Sequence, residues 1–477
     1  MVMVLIVVPL VLAALALAVP SNRWRPWLLP ACCLGHLVLV LFSLLNPPPS
    51  ALNQWLVLDP LGKVFLPFVS LLFCLCASYT AHFLTVGQGR SNRVFCTCFL
   101  LSLSMITLVL LSHHLGLMWV GMEATTLALA PNIYFYRTPR SLEATWKYLV
   151  ICSVGIALAL LGSFFLAYST LHAGLESPLL FDELVQQAPQ LSHPWLQAAF
   201  VLILVGYGTK MGLAPMHTWL PDAHGEAPAP VSALLSGALL PCAFLAILRV
   251  YHICLASGNS ETSRRILIGI GLLSMAVASV FMIRQRDLKR LLAYSSVEHM
   301  GILAFGIGVG GLAVFGALFH VVNNGLIKVA LFLSAGNIQN AFGSKFSDDI
   351  RGAIRRLPVT GPLFLAGFLA ITGSPPFAPF LSEFTILNAA LGDGDYLPAM
   401  LFLLFLGMVF IGMGATILPA LQGDPSANAL QYPFRDGFFS TAPILACMAL
   451  VLILGCYLPR PLESLLREAA VFLEVKE

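Results

Sequence analysis

Charge is what this sequence has least of: 10% of its 477 residues are Asp, Glu, Lys or Arg, while 58% are apolar. Soluble domains carry about 25% charged residues; a chain this poor in charge is excluded from that class and reads as a membrane protein. Long polar stretches are missing too. The longest, Leu171–Pro194 and Gln422–Asp436, are too short for a soluble domain. No block of basic residues occurs, because Lys and Arg are scattered in short loops, and this excludes a nucleic-acid partner. Eleven cysteines are present but none in CxxC spacing: Cys32-Cys33, Cys74-x-Cys76 and Cys96-x-Cys98 lie inside apolar runs and read as small core residues. No flavin, iron–sulfur or quinone fingerprint is visible. The expectation is a chain with no catalytic centre and no cofactor of its own.

What the sequence has in abundance is apolar runs. About twenty such residues cross a hydrocarbon core roughly 30 Å thick, and Val2–Val19 and Thr441–Tyr457 are clear cases. Met1–Pro20 lacks a basic leader region and a small-residue cleavage site, so it is expected to be a retained first helix. Reading hydropathy against Pro/Gly-rich and charged breaks predicts an all-α polytopic protein of about fourteen spans. They fall near 2–20, 27–45, 61–85, 94–112, 115–136, 141–170, 195–225, 229–256, 266–283, 288–308, 311–340, 359–391, 396–421 and 438–457. With residue 1 outside, fifteen basic residues fall on the inner side, from Arg23 to Arg435. Five fall outside: Arg264, Arg265, Arg460, Arg467 and Lys476. That bias predicts an inner-membrane protein with both termini periplasmic.

Ionisable residues inside spans cost about 2.5–3.5 kcal/mol each on insertion scales and are functional candidates by default. Here they come in two series. The first is Glu123, Lys147 and Lys210; the second is Glu298 with His299, then His320 and Lys328, then Glu383. Glu123 precedes Lys147 by 24 residues and Glu298 precedes Lys328 by 30. A charge beside a Pro/Gly interruption follows 63 or 55 residues later. Five spans separate each member from its counterpart, and an odd number of crossings inverts a repeat. The expected organisation is therefore 1–93 (spans one to three), 94–257 (first inverted repeat), 265–421 (second inverted repeat) and 422–477 (last span and tail).

Each repeat is expected to hold a broken helix, at Gly208–Pro215 and at Gly373–Pro379, since Pro215, Pro375 and Pro376 lack a backbone donor. Backbone freed there must find water or polar side chains, which wets the centre. Glu123 is expected to supply a counter-charge to Lys210, so that moving the carboxylate away favours proton release. The plainer reading of Lys147, Lys63 and Arg249 is that each snorkels to an interface. His217, Asp222, His224 and Glu226 are metal ligands in type, but His-x₆-His interrupted by Pro221 matches no strong pattern. The stretch is expected to be a polar entrance, and no metal is expected.

Lys210–Leu235, Asp287–Ser296 and His320–Asn337 resemble the antiporter-like subunits of respiratory complex I and of Mrp-type Na⁺/H⁺ antiporters. Trp119–Glu123, Ser141–Tyr148 and Ser295–Gly301 are most similar to component F of hydrogenase-4. The resemblance implies two inverted five-helix bundles, companion membrane subunits and a peripheral redox arm that drives proton movement. It also implies roles: Glu123 partnering Lys210, Lys328 as the central bridge with His320 nearby, and Glu383 as the outward terminal group. Two positions depart from the pattern. Pro241 stands where a Lys or His is common, and Asn324 stands where a second His is common. The competing readings are a Na⁺/H⁺ antiporter subunit and a scaffold that has lost conduction.

Overall fold

The computed structural model describes residues 1–86, 90–176, 179–424 and 432–474; Lys476 lies outside them. Among these residues the regular structure is helical, with isolated bridges and no strand. Helices α1 (Val2–Ala18), α2 (Leu28–Leu45), α3 (Pro60–Val86), α4 (Arg93–Leu111), α5 (Leu115–Ile133) and α6 (Pro139–His172) come first. A short α7 (Phe181–Gln187) precedes α8 (His193–Met211), α9 (Trp219–Glu226), α10 (Ala229–Leu234) and α11 (Leu240–Ala256). Then follow α12 (Glu261–Met282), α13 (Leu288–Val309), α14 (Leu312–Phe342), the one-turn α15 (Ala353–Arg356), α16 (Thr360–Ile371) and α17 (Ala378–Gly392). The described chain closes with α18 (Tyr396–Leu421), α19 (Phe438–Cys456) and α20 (Arg460–Phe472). Each predicted span coincides with a helix or a broken pair. Among the described residues, ten helices are long and apolar enough to cross a membrane by length and composition.

Both broken helices are present, with shifted edges. The first interruption was expected from Gly208, yet α8 runs on to Met211, because Gly212 at φ +85° is the first residue to leave the helix. The chain regains helix at Trp219. In the second, Gly373 at φ +66° follows α16 and the helix restarts at Ala378, past Pro375 and Pro376. Freed backbone groups are met locally: Trp219 Nε1 donates to the Thr209 carbonyl at 2.9 Å, and Ala214 N donates to Ser274 Oγ at 3.0 Å. Pro241 does not break its helix. A π-turn at 235–239 joins α10 to α11 immediately before it, and such a wide turn absorbs a missing donor.

Two helix pairs approach closely through glycine. A Cβ on Gly206 of α8 would stand 2.5 Å from Ala159 N of α6, and one on Gly271 of α12 would stand 2.7 Å from the Gly301 carbonyl of α13. Without a hydrophobic driving force between helices in lipid, close backbone approach is what binds them. The α10–α11 unit and α13 are buried along their length and α14 nearly so. Apolar residues such as Leu45, Val154, Phe281 and Ile411 are exposed on the periphery, a surface suited to lipid or other membrane subunits.

The surface charges and the ion pairs outside the centre of the bundle sort to two ends. At one, Arg25 binds Asn92, Arg290 and Lys147 share Asp222, Arg286 meets Asp348 and Arg355 meets Asp424. At the other, Arg249 meets Asp59, Lys63 meets Glu468 of α20, and His113 stands 2.9 Å from Asp182. The His113 ring holds the Asp182 carboxyl below the usual carboxylate range.

Candidate functional site

The site is a line of buried polar side chains through the middle of the bundle. Its first part hangs on Lys210, at the last turn of α8 and fully buried. The ammonium donates to Thr126 Oγ1 at 2.6 Å and to Tyr148 Oη at 3.1 Å, and it stands 5.0 Å from the Tyr148 ring centroid. Thr126 in turn lies 3.4 Å from Glu123 Oε2, and Ser153 donates to Glu123 Oε1 at 2.7 Å. Thr126 and Glu123 are three residues apart on α5, which puts them on one helix face. Glu123 and Lys210 thus belong to one network, linked through a hydroxyl.

Lys147, on α6, is not buried. Its side chain is 43% exposed and pairs with Glu143 at 2.6 Å and Asp222 at 2.8 Å. Asp222 also binds Arg290 at 2.7 Å. These residues line cavities of about 330 and 380 Å³ at the mouth of the bundle, together with Glu226, which Lys345 holds at 2.9 Å. His217 lies nearly buried beneath this mouth, against Phe281 and Tyr294. His224 is fully buried, stacks on Phe332 with centroids 4.8 Å apart, and has no hydrogen-bond partner at either ring nitrogen. The acids of this stretch are taken up by Lys and Arg, and its histidines turn inward.

The second part hangs on Lys328, at the middle of α14. Its ammonium donates to Ser295 Oγ at 2.6 Å and to the Leu292 carbonyl at 3.1 Å. Beyond it a chain runs across three helices: His299 Nδ1 meets His320 Nε2 at 2.9 Å, and His320 Nδ1 meets Ser382 Oγ at 2.9 Å. Glu298 Oε2 stands 3.9 Å from His299 Nε2. Glu383 is one residue past Ser382 on α17; it is 5% exposed, and its Oε1 has no hydrogen-bond partner. A Cβ on Gly373 would stand 2.2 Å from Glu383 Oε2, so the second helix break is shaped around this carboxylate. Asn323 and Asn324 also have side-chain atoms with no protein partner. Buried polar atoms are rarely left unsatisfied, and sites of this polarity are where water completes a line.

Sequence reasoning missed the groups that join these pieces. Thr126 links Glu123 to Lys210. Ser236, in the π-turn, meets Ser296 of α13 at 2.7 Å. Ser296 is next to Ser295, which holds Lys328. Hydroxyl residues are common in spans, and nothing in their spacing marks these four. Arg249 stays near the end of the bundle but does not reach the surface: it is 2% exposed, with Nε and Nη2 on the Asp59 carboxylate at 3.0 Å each. It also donates to the carbonyls of Val109, Leu110 and Ser112. Lys63 is partly exposed and held by Glu468.

Residues 112–412 match the family described as NADH:quinone oxidoreductase/Mrp antiporter, transmembrane. The chain is 36% identical over 471 residues, 96% of each sequence, to a hydrogenase-4 component F homolog of Methylacidiphilum infernorum. It is 31% identical to NADH-quinone oxidoreductase subunit N of Desulforudis audaxviator over 73% of this chain and 69% of that one. In three dimensions it is similar to a chain of the membrane-bound sulfane sulfur reductase, an archaeal respiratory membrane complex. There the TM-score is 0.89 at 20% identity, over 99% of this chain and 97% of that one. That likeness shows the fold; sequence identity of this extent and coverage shows the lineage, and the chain belongs to the NADH:quinone oxidoreductase/Mrp antiporter transmembrane family as an antiporter-like membrane subunit.

Proposed function

We propose that this chain moves protons across the inner membrane as a non-catalytic subunit of a redox-driven complex of the group 4 hydrogenase or complex I type. The observation that carries the reading is the His299–His320–Ser382 chain on three buried helices, with Lys328, Glu298 and Glu383 around it. Ionisable groups this deep are expensive, and a chain of donors that can each also accept is what proton hopping needs. Protons enter at the mouth formed by Lys147 and Asp222, with His217 and His224 beneath. Glu123, through Thr126, sets the charge on Lys210. Ser236 and Ser296 carry the proton past Pro241 into the second half, where Lys328 receives it. Glu298, His299 and His320 pass it to Glu383, the outward terminal group.

In this reading the chain crosses the membrane fourteen times, with both termini periplasmic. Residues 94–257 and 265–421 are inverted repeats, flanked by 1–93 and 422–477. The kinship with a hydrogenase-4 component F homolog supports a hydrogenase-type assembly, with other membrane subunits against the exposed apolar periphery and a peripheral redox arm supplying the energy.

The test is internal acidification in vesicles holding the native complex, started with its electron donor. Lys210→Ala and Glu383→Ala are each expected to abolish or strongly reduce it while the complex still assembles. Undiminished pumping in both variants defeats the relay. Uptake that follows an imposed sodium gradient without electron donor replaces the redox reading with that of a Na⁺/H⁺ antiporter subunit.

A further inference from the structure

Three helices aim metal-binding side chains at one point in the second half. His299 of α13, His320 of α14 and Glu383 of α17 each offer one ligand atom, all within 4.8 Å of one another, and all three residues are buried. It is the one such group of three among the described residues. We propose that His299, His320 and Glu383 form a binding site for a borderline-soft divalent cation, with Zn²⁺ the best match. Two imidazoles and one carboxylate are a ligand set that Zn²⁺ accepts, at bond lengths of about 2.0–2.2 Å. A hard cation such as Na⁺, Mg²⁺ or Ca²⁺ selects oxygen ligands instead.

The hydrogen bonds around the site prepare one nitrogen for the ion. Ser382 Oγ has the Pro379 carbonyl at 2.9 Å to donate to; with its proton there, it acts as acceptor toward His320 Nδ1. His320 therefore carries its proton on Nδ1 and turns the Nε2 lone pair inward. A second polar group that fixes the tautomer of a ligating histidine is a regular feature of metal sites. That lone pair now accepts from His299 Nδ1 at 2.9 Å; an ion takes the place of the shared proton.

The carboxylate side is equally available. Glu383 Oε1 is buried with no hydrogen-bond partner, and its ionised form gains most from a cation. Glu298, whose Oε2 lies 3.9 Å from His299 Nε2, adds a second carboxyl group at the rim. Lys328 stands two turns away on α14. Ligand atoms on a tetrahedral Zn²⁺ lie about 3.4 Å apart at these bond lengths, so the two ring nitrogens, now 2.9 Å apart, open by about 0.5 Å and the widest spacing, within 4.8 Å, closes by up to about 1.4 Å.

This inference does not rest on the relay, since binding is read directly; a bound Zn²⁺ occupies His299, His320 and Glu383 in place of the proton they pass, so the loaded chain is expected not to conduct. The experiment is equilibrium uptake of Zn²⁺ alone by the purified native complex, stripped beforehand with chelator, with X-ray absorption at the zinc edge. The expected result is one tightly held Zn²⁺ per copy of this chain, with two imidazoles and a carboxylate in its first coordination shell. His320→Gln should remove it, and Ser382→Ala should weaken it about 10–100-fold, with assembly checked by size-exclusion chromatography. Absence of stoichiometric binding in the wild type overturns the proposal. So does a bound zinc whose spectrum contains sulfur or no imidazole, or binding that survives both His299→Ala and His320→Gln.

Discussion

Lys210 reaches Glu123 through Thr126: the ammonium donates to the threonine hydroxyl at 2.6 Å, and that hydroxyl lies 3.4 Å from the carboxylate. A direct ion pair would hold the proton on the lysine in every state of the protein. A hydroxyl between the charges weakens the coupling and makes it adjustable, because Thr126 can turn toward Glu123 or toward the Met122 carbonyl, 3.5 Å away.

Thr126→Val keeps the shape of the side chain and removes the link. Lys210 then retains only Tyr148 among its side-chain partners, and a buried charged donor left short of a partner costs about 1–3 kcal/mol. Redox-driven acidification is expected to fall about tenfold, the rate equivalent of 1.4 kcal/mol. Thr126→Ser should retain most of it. Equal loss in both variants points to packing, and the hydroxyl role is then withdrawn.

The Ser236–Ser296 contact carries the next expectation. At 2.7 Å either hydroxyl can donate, and Ser296 also has the Leu292 carbonyl at 3.1 Å, so the pair reverses its direction as Ser296 turns between the two, which a one-way donor cannot. Ser236→Ala and Ser296→Ala should each slow acidification. The double variant should be no worse than the slower single one, because both remove one shared step. Additive losses would mean that the two serines act on separate paths.

What could be read in one dimension was whatever differs sharply from lipid. The apolar runs and the charges inside them are of that kind, and the helices containing Glu123, Lys210, Lys328 and Glu383 lie where hydropathy put them. Pro215 and Pro375 marked the two breaks for the same reason, although Gly212 and Gly373 set their edges. Thr126, Ser236, Ser296 and Ser382 were illegible, since a hydroxyl costs little in a span and its partner comes from another helix. The burial of Arg249 was illegible because its counter-ion, Asp59, is 190 residues away in sequence. A lone arginine near a helix end reads as an interface residue until its partner is known.

That pair predicts a stability effect with no direct transport role. Arg249 and Asp59 are 2% and 5% exposed and bonded through two nitrogens and two oxygens. Removing one partner from a buried pair costs about 3–5 kcal/mol because the other charge is left alone. Asp59→Asn and Arg249→Met should each lower the thermal stability of the detergent-solubilised complex and its yield in the membrane. The double variant should recover part of the loss. A single variant as stable as the wild type would show that water reaches the remaining charge.

Lys147 separates the mouth from the buried line. Its side chain is 43% exposed and shares Asp222 with Arg290, and an exposed pair of this kind contributes about 0–1 kcal/mol. Lys147→Met should therefore leave the melting temperature within a degree or two of the wild type. Its effect belongs on proton capture. Exposed charges are screened over about 10 Å at 0.1 M salt, so any loss in acidification should be seen at low ionic strength and shrink as salt rises. Lys210→Met, by contrast, should lose activity at every salt concentration, because no counter-ion reaches a fully buried lysine. Matching salt profiles for the two variants would place Lys147 inside the line, with the mouth moved outward to Glu143.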